Sequence, residues 1–168
     1  VWGNLTERWP EARIVHGTSR QDEAQHTLAL RFQTTLADAF TEQLVPVLRD
    51  CDVTEEELRT RDLVLLGGPR ENSLVARCWE ALGARAPATL GDGYFRFRGT
   101  TDADAAHGIF LALPSPFAPD RLVWVFAGNS ALALYDMTKS NVPGLPAYAL
   151  FHADEAKEQG YLPVARFV

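Results

Sequence analysis

Apolar positions along this chain follow two rhythms, short unbroken runs and stripes recurring every fourth residue, and their order predicts an α/β protein. Arg13 to His16 is a short apolar segment, after which Leu28, Phe32, Leu36 and Phe40 mark one face of a long helix from about Gln21 to Glu42. Leu44 to Leu48 reads as a second strand. Thr54-Glu55-Glu56-Glu57 has the form of a capping box and opens a short helix. Leu63 to Leu66 is apolar throughout, the mark of a strand covered on both faces. Val75, Cys78, Trp79 and Leu82 then define the buried side of another helix, with Gly83 placed to end it.

Beyond Gly83 the pattern changes. Tyr94 to Arg98 and Gly108 to Leu113 read as paired strands around the polar loop Gly99 to His107. Alternation puts Tyr94, Arg96 and Arg98 on one face and Phe95 and Phe97 on the other. Three prolines between Pro114 and Pro119 enforce a turn. Arg121 to Ala127 is a central strand, Ser130 to Lys139 a helix, and Ala147 to Phe151 and Tyr161 to Phe167 two closing strands. The order predicts a three-layer α/β sandwich around a mostly parallel open sheet, flavodoxin- or Rossmann-like, with right-handed crossovers and an inserted antiparallel meander. Residues 1–12 are read as a linker or N-terminal edge segment and 13–168 as one domain. No internal repeat is visible.

Three predicted strands run into turns of small and polar residues that each open a helix: His16-Gly17-Thr18-Ser19, Gly67 to Ser73, and Ala127-Gly128-Asn129-Ser130. In an open α/β sheet such turns share the carboxyl edge, where ligands bind. The candidate ligand-binding residues are therefore His16, Thr18, Ser19, Gly67, Gly68, Arg70, Asn72, Gly128, Asn129 and Ser130. Gly67 and Gly68 permit close backbone approach, the following helix start favours a small anionic ligand, and Arg70 adds a bidentate cation. The competing reading is helix capping by Ser19, Asn72 or Ser73, and Asn129 or Ser130.

Composition narrows the classes. The 168 residues carry a formal net charge of -6, and the 16 basic residues are dispersed, so a nucleic-acid or anionic-membrane partner is not expected. No apolar run approaches the roughly 20 residues that span a bilayer. No signal segment precedes the first strand, and the start at Val1 is what an excised domain or processed product would show. Cys51 and Cys78 fit no metal or CxxC spacing and are read as unpaired, mostly buried thiols, with a bridge between them left open. His16, His26, His107 and His152 share no ligand spacing, so no metal or cofactor is assigned, although His152 and Asp154 could approach the edge that holds His16. Asp92, Asp102 and Asp104 read as turn residues. G-x-S-x-G, Gly-x-x-x-x-Gly-Lys-Ser/Thr and G-x-G-x-x-G motifs are absent.

The stretch Ala112 to Ser130, with Asp62 to Asn72 and His16-Gly17-Thr18, resembles an accessory α/β domain of large bacterial hydrolases, often found after a prolyl-oligopeptidase-like or esterase catalytic domain. The resemblance covers about residues 13 to 130. His16 departs from it, since that family more often has Tyr at this position. It implies a Rossmann- or flavodoxin-like fold, an extracytoplasmic setting, and a neighbouring domain of the parent chain as partner. It implies no catalytic residue. Trp2, Trp9 and Tyr94 are the candidate interface residues, with coverage of this domain's own sheet edge as the alternative for the two tryptophans. The rival function is an anion- or small-molecule-binding enzyme domain using His16, Arg70, Asn72 and Asn129, in which His16 is the general acid or base.

Overall fold

A computed structural model describes residues 8–40, 43–139, 147–152 and 164–166, with backbone alone for 39–40 and 164–166. Trp2 and Asp154 of the sequence reading lie outside these residues. The strands are β1 (Ala12–His16), β2 (Val47–Arg49), β3 (Asp62–Leu66), β4 (Ala88–Leu90), β5 (Phe95–Phe97), β6 (Thr100–Asp102), β7 (His107–Pro114), β8 (Leu122–Gly128), β9 (Tyr148–His152) and β10 (Val164–Arg166). The helices are α1 (Asp22–Phe40), α2 (Glu55–Thr60), α3 (Ser73–Leu82) and α4 (Ala131–Met137).

The main sheet has seven strands in the order β10-β9-β7-β8-β3-β1-β2. Pairings β2/β1, β1/β3 and β3/β8 are parallel, whereas β8/β7, β7/β9 and β9/β10 are antiparallel. The exits of β1, β3 and β8 therefore lie side by side at one edge. Every residue of β3 is buried, as its unbroken apolar run requires.

Alternation along the strands divides the core in two. Ile14, Val64, Leu66, Trp124 and Phe126 pack with Ala29, Phe32 and Leu36 of α1 and Leu134 and Met137 of α4. Val15, Leu63, Leu65, Val123 and Val125 pack instead with Leu58 of α2, with Leu74, Val75 and Cys78 of α3, and with Phe95 and Phe97. Each such large side chain contributes about 1.5–3 kcal/mol by leaving water. The predicted capping box is present at α2: Thr54 Oγ1 accepts from Glu57 N, and Glu57 accepts from Thr54 N.

Several expectations are corrected. β5 does not pair with β7; it forms a separate three-stranded antiparallel sheet, β4-β5-β6, while β7 extends the main sheet. The cause is a two-residue hairpin at Arg98 and Gly99, with φ of +49° and +85°, which turns the chain straight back into β6. Asn-Gly or Asp-Gly would have announced that turn; Arg at positive φ is uncommon. Of the two readings given for Trp9, the structure shows packing within the chain's own fold. It is fully buried in the α1-side core, with Nε1 donating to the Gln43 carbonyl at 2.9 Å. Residues 8–11 are also tied to the sheet by Arg8, whose guanidinium meets the buried Asp62 carboxylate at 2.7 and 2.9 Å. The cysteines are both free, but Cys51 is exposed rather than buried. Burial pushes the Cys78 thiol up to about 12.

Candidate functional site

The turn after β1 and the turn after β3 touch. A Cβ added to Gly17 would stand 2.0 Å from the Glu71 carbonyl oxygen, and Ser19 N donates to that oxygen at 3.2 Å. Asn72 locks the same corner. Its Nδ2 donates to the carbonyls of Val15 (3.1 Å) and Leu66 (3.0 Å), and its Oδ1 accepts from the amides of Leu74 and Val75. Asn72 is wholly buried in this role, which is capping together with strand tethering.

The anion expected at the start of α3 meets the chain's own side chains instead. Asp50, which is buried, accepts from Ser73 N at 2.6 Å and from Thr18 Oγ1 at 2.7 Å. Glu71 accepts from Gly68 N at 3.0 Å. Burial alone would raise the Asp50 carboxyl, but the hydrogen bonds from Ser73, Thr18 and Cys51 outweigh it and hold the group below the ordinary carboxylate range.

His16 is fully buried and does not reach the rim surface. Its Nδ1 faces the Gly17 carbonyl at 3.1 Å and its Nε2 faces His26 Nδ1 at 3.1 Å. Ser19 caps no helix, because α1 begins only at Asp22. Arg70 and Ser19 are exposed and stand outside the cavity described next.

The open space lies one strand further along, between the exits of β3 and β8. A cavity of about 200 Å³ is walled by Gly67, Gly68 and Glu71 from the β3 turn and by Gly128, Asn129, Ser130, Ala131 and Leu134 from the β8 exit and α4. Arg20, Gln21 and Gln25 close it from the start of α1, and Gly91, Asp92 and Gly93 from the loop between β4 and β5. Gly67 sits at φ +96°, a conformation that glycine alone adopts at little cost, and its N–H donates to the Phe126 carbonyl at 2.9 Å. Of the predicted residues, Gly67, Gly68, Gly128, Asn129 and Ser130 are brought together here; His16, Thr18, Ser19, Arg70 and Asn72 are not.

Arg20 bridges the cavity's two sides. It forms a forked pair with Asp92, at 2.9 and 3.2 Å, and stands 3.9 Å from Glu71. The hydrogen bond from Arg20 lowers the Asp92 carboxyl and the same bond raises the guanidinium. Gln25 is 6% exposed, and its Oε1 has no hydrogen-bond partner. Beside this cavity a second one of about 350 Å³ runs between α1 and α4, sharing Gln21, Gln25 and Ala131 and continuing along Ala24, Leu28 and Tyr135.

Asn129 and Ser130 also strap the loop between β6 and β7. Asn129 Nδ2 donates to the Asp102 and Asp104 carbonyls at 3.2 and 3.0 Å, and Ser130 Oγ donates to the Ala105 carbonyl at 2.6 Å while capping α4 through Ala133 N. That loop carries a feature missed in the sequence. Asp102 Oδ2 lies 2.8 Å from His107 Nδ1, and His107 Nε2 lies 3.0 Å from His152 Nδ1. With Asp102 accepting the His107 Nδ1 proton, His107 Nε2 accepts from His152 Nδ1 and His152 Nε2 is left as the outer nitrogen of the chain. His152 thus lies at the edge that holds His16, as the sequence allowed, and there it pairs with His107 while His16 pairs with His26. Sequence spacing could not find the His107–His152 pair, because β7 and β9 are neighbours only in space.

Among the described residues no group of three or more His, Cys, Asp or Glu is arranged to hold a metal ion, and no helix is long and apolar enough to cross a membrane. The fold places the chain in the mixed α/β class. In comparisons with known proteins, no family model, no curated protein and no solved structure matches it.

Proposed function

We propose that this chain is a non-catalytic accessory domain of a larger bacterial hydrolase, built on a flavodoxin-like three-layer plan. The strand order β2-β1-β3-β8 supports that plan, since it follows the flavodoxin sequence 2-1-3-4. So does the division of the helices, with α1 and α4 in one hydrophobic cluster and α2 and α3 in the other. The hydrolase association rests on the likeness of residues 62–72 and 112–130 to such domains. The observation that carries the non-catalytic part is how the strand-end polar groups are engaged. Asn72, Asp50, Asn129 and Ser130 each join one segment of the chain to another, the Glu71 side chain closes its own turn on Gly68 N, and His16 is fully buried. A general base must come within hydrogen-bond reach of its substrate, and His16 lacks that access.

One observation favours the rival enzyme reading, at a different residue. The chain Asp102–His107–His152 has the form of an oriented imidazole relay in which His152 Nε2 would be the base. Assays of the full-length parent toward p-nitrophenyl acetate and a chromogenic peptide separate the readings. In the accessory reading, Asp102→Asn and His152→Ala leave turnover within about twofold of the parent's. A loss of about a hundredfold in variants that keep the parental circular dichroism would move the assignment to catalysis.

A further inference from the structure

We infer that the groove between α1 and α4 binds a small amphipathic carboxylate, its charged head on Arg31 and its aliphatic tail along Leu28 and Ala131. The inference goes beyond the accessory role and concerns a different surface from the strand-end rim.

The groove has the size and the lining of a small-molecule site. Its volume of about 350 Å³ falls within the roughly 300–1,000 Å³ typical of such pockets, which combine apolar walls with a few placed polar groups. Most of its surface is apolar, supplied by Ala24 and Leu28 of α1 and Ala131 of α4, and the one charged residue of the lining is Arg31. A wall of this make-up complements an alkyl chain that ends in a single negative charge.

Arg31 is held in place without being neutralised. Its Nη1 donates to Tyr135 OH, and its guanidinium carbon stands 4.7 Å from the centroid of the Tyr135 ring. The phenol occupies only part of the five-donor fork. Among the described residues no carboxylate pairs with Arg31, so its other N–H groups are left for a ligand, and their planar arrangement matches a carboxylate. Lys139 lies 3.8 Å from the centroid of the same ring but is already paired with Asp136 at 2.8 Å. The local field is nonetheless positive. The hydrogen bond from Arg31, aided by the charges of Arg31 and Lys139, outweighs burial and holds the Tyr135 phenol below the ordinary tyrosine range. The contrast with the strand-end rim is direct: there Asp50 and Glu71 already take the amides that an anion would use, whereas no carboxylate of the described chain takes Arg31.

Calorimetric titration of the 168-residue chain with hexanoate, n-hexanol and n-hexylammonium tests the assignment. Hexanoate is expected to bind, n-hexanol about tenfold more weakly, and n-hexylammonium more weakly still. Butanoate should bind about tenfold more weakly than hexanoate, because two fewer methylenes enter the groove. Arg31→Gln should lower hexanoate affinity about tenfold, to the level of n-hexanol, with the melting temperature unchanged. Ala24→Phe, on an exposed position of α1, should lower it at least as much by filling the groove. Absence of hexanoate binding, n-hexylammonium binding as tightly as hexanoate, or equal affinities for butanoate and hexanoate would each overturn the inference. So would undiminished hexanoate affinity in a folded Arg31→Gln variant. Should Arg31→Gln fail to fold, Ala24→Phe decides the location, and unchanged affinity there overturns the site.

Discussion

Asp50 shows how one side chain organises the rim. It sits after β2, yet its two oxygens hold Thr18 of the β1 turn and the first amide of α3, so three turns meet on a single carboxylate. Its folded-state affinity for a proton is depressed relative to the unfolded chain. The stabilisation is therefore complete above the ordinary carboxylate range and is lost as pH falls through the depressed value. Asp50→Asn should cost about 1–3 kcal/mol at neutral pH. It should also flatten the loss of stability that the unaltered protein shows below about pH 4, which urea denaturation across that range would measure. An equal acid-side slope in both proteins would contradict this role. At the same scale Asn72 was readable as a cap, since Asn before an apolar helical face is a familiar start signal. Its second pair of bonds, to β1 and β3, was not, because nothing local to Asn72 reveals that Val15 lies within reach.

Elements also meet at the rim through backbone, where Ser19 N donates to the Glu71 carbonyl. The closeness of Gly17 to the Glu71 carbonyl means that any side chain at position 17 must push the β1 and β3 turns apart. Gly17→Ala is expected to lose at least about 2 kcal/mol, whereas Ser19→Ala, two residues on and exposed, should stay within about 0.5 kcal/mol. Urea midpoints of the two variants provide the comparison. This contact also accounts for where the cavity lies. Where the strand order of an open α/β sheet reverses, here between β1 and β3, a crevice ordinarily lies at the carboxyl edge. Here Asn72 and the Glu71 backbone fill it, and the open volume moves to the next gap, between β3 and β8. The glycines of that gap were legible in the sequence, but Arg20, Gln25, Glu71 and Asp92 were not. They come from three separate segments, the α1 start, the β3 turn and the β4–β5 loop, and no local pattern couples those segments.

On the scale of the whole molecule, two hydrophobic clusters on either side of one sheet explain why residues 8–12 belong to the folded body. Trp9 fills the α1-side cluster together with Phe32, Trp124 and Phe126, with Phe32 edge-on to Phe126 at 4.9 Å. Trp9→Ala should lower global stability by about 3–5 kcal/mol, a loss seen equally by far-ultraviolet circular dichroism and by tryptophan fluorescence if the fold is one cooperative unit. Non-coincident transitions would mean that the N-terminal turn unfolds on its own.

The sequence by itself determined the elements whose signal is local. The fourfold spacing of Leu28, Phe32 and Leu36, the Thr54 to Glu57 capping box and the apolar run Leu63 to Leu66 each encode burial or capping within a few residues, so helix and strand follow from them directly. Only the tertiary structure decided that β5 leaves the main sheet, that His107 finds His152, and that a half-polar cavity opens beside β3 with a buried Gln25 in its wall. The physical reason is the range of the interactions. Periodicity records which side of an element faces away from water, whereas strand pairing and side-chain convergence depend on segments that meet only after the whole chain has collapsed.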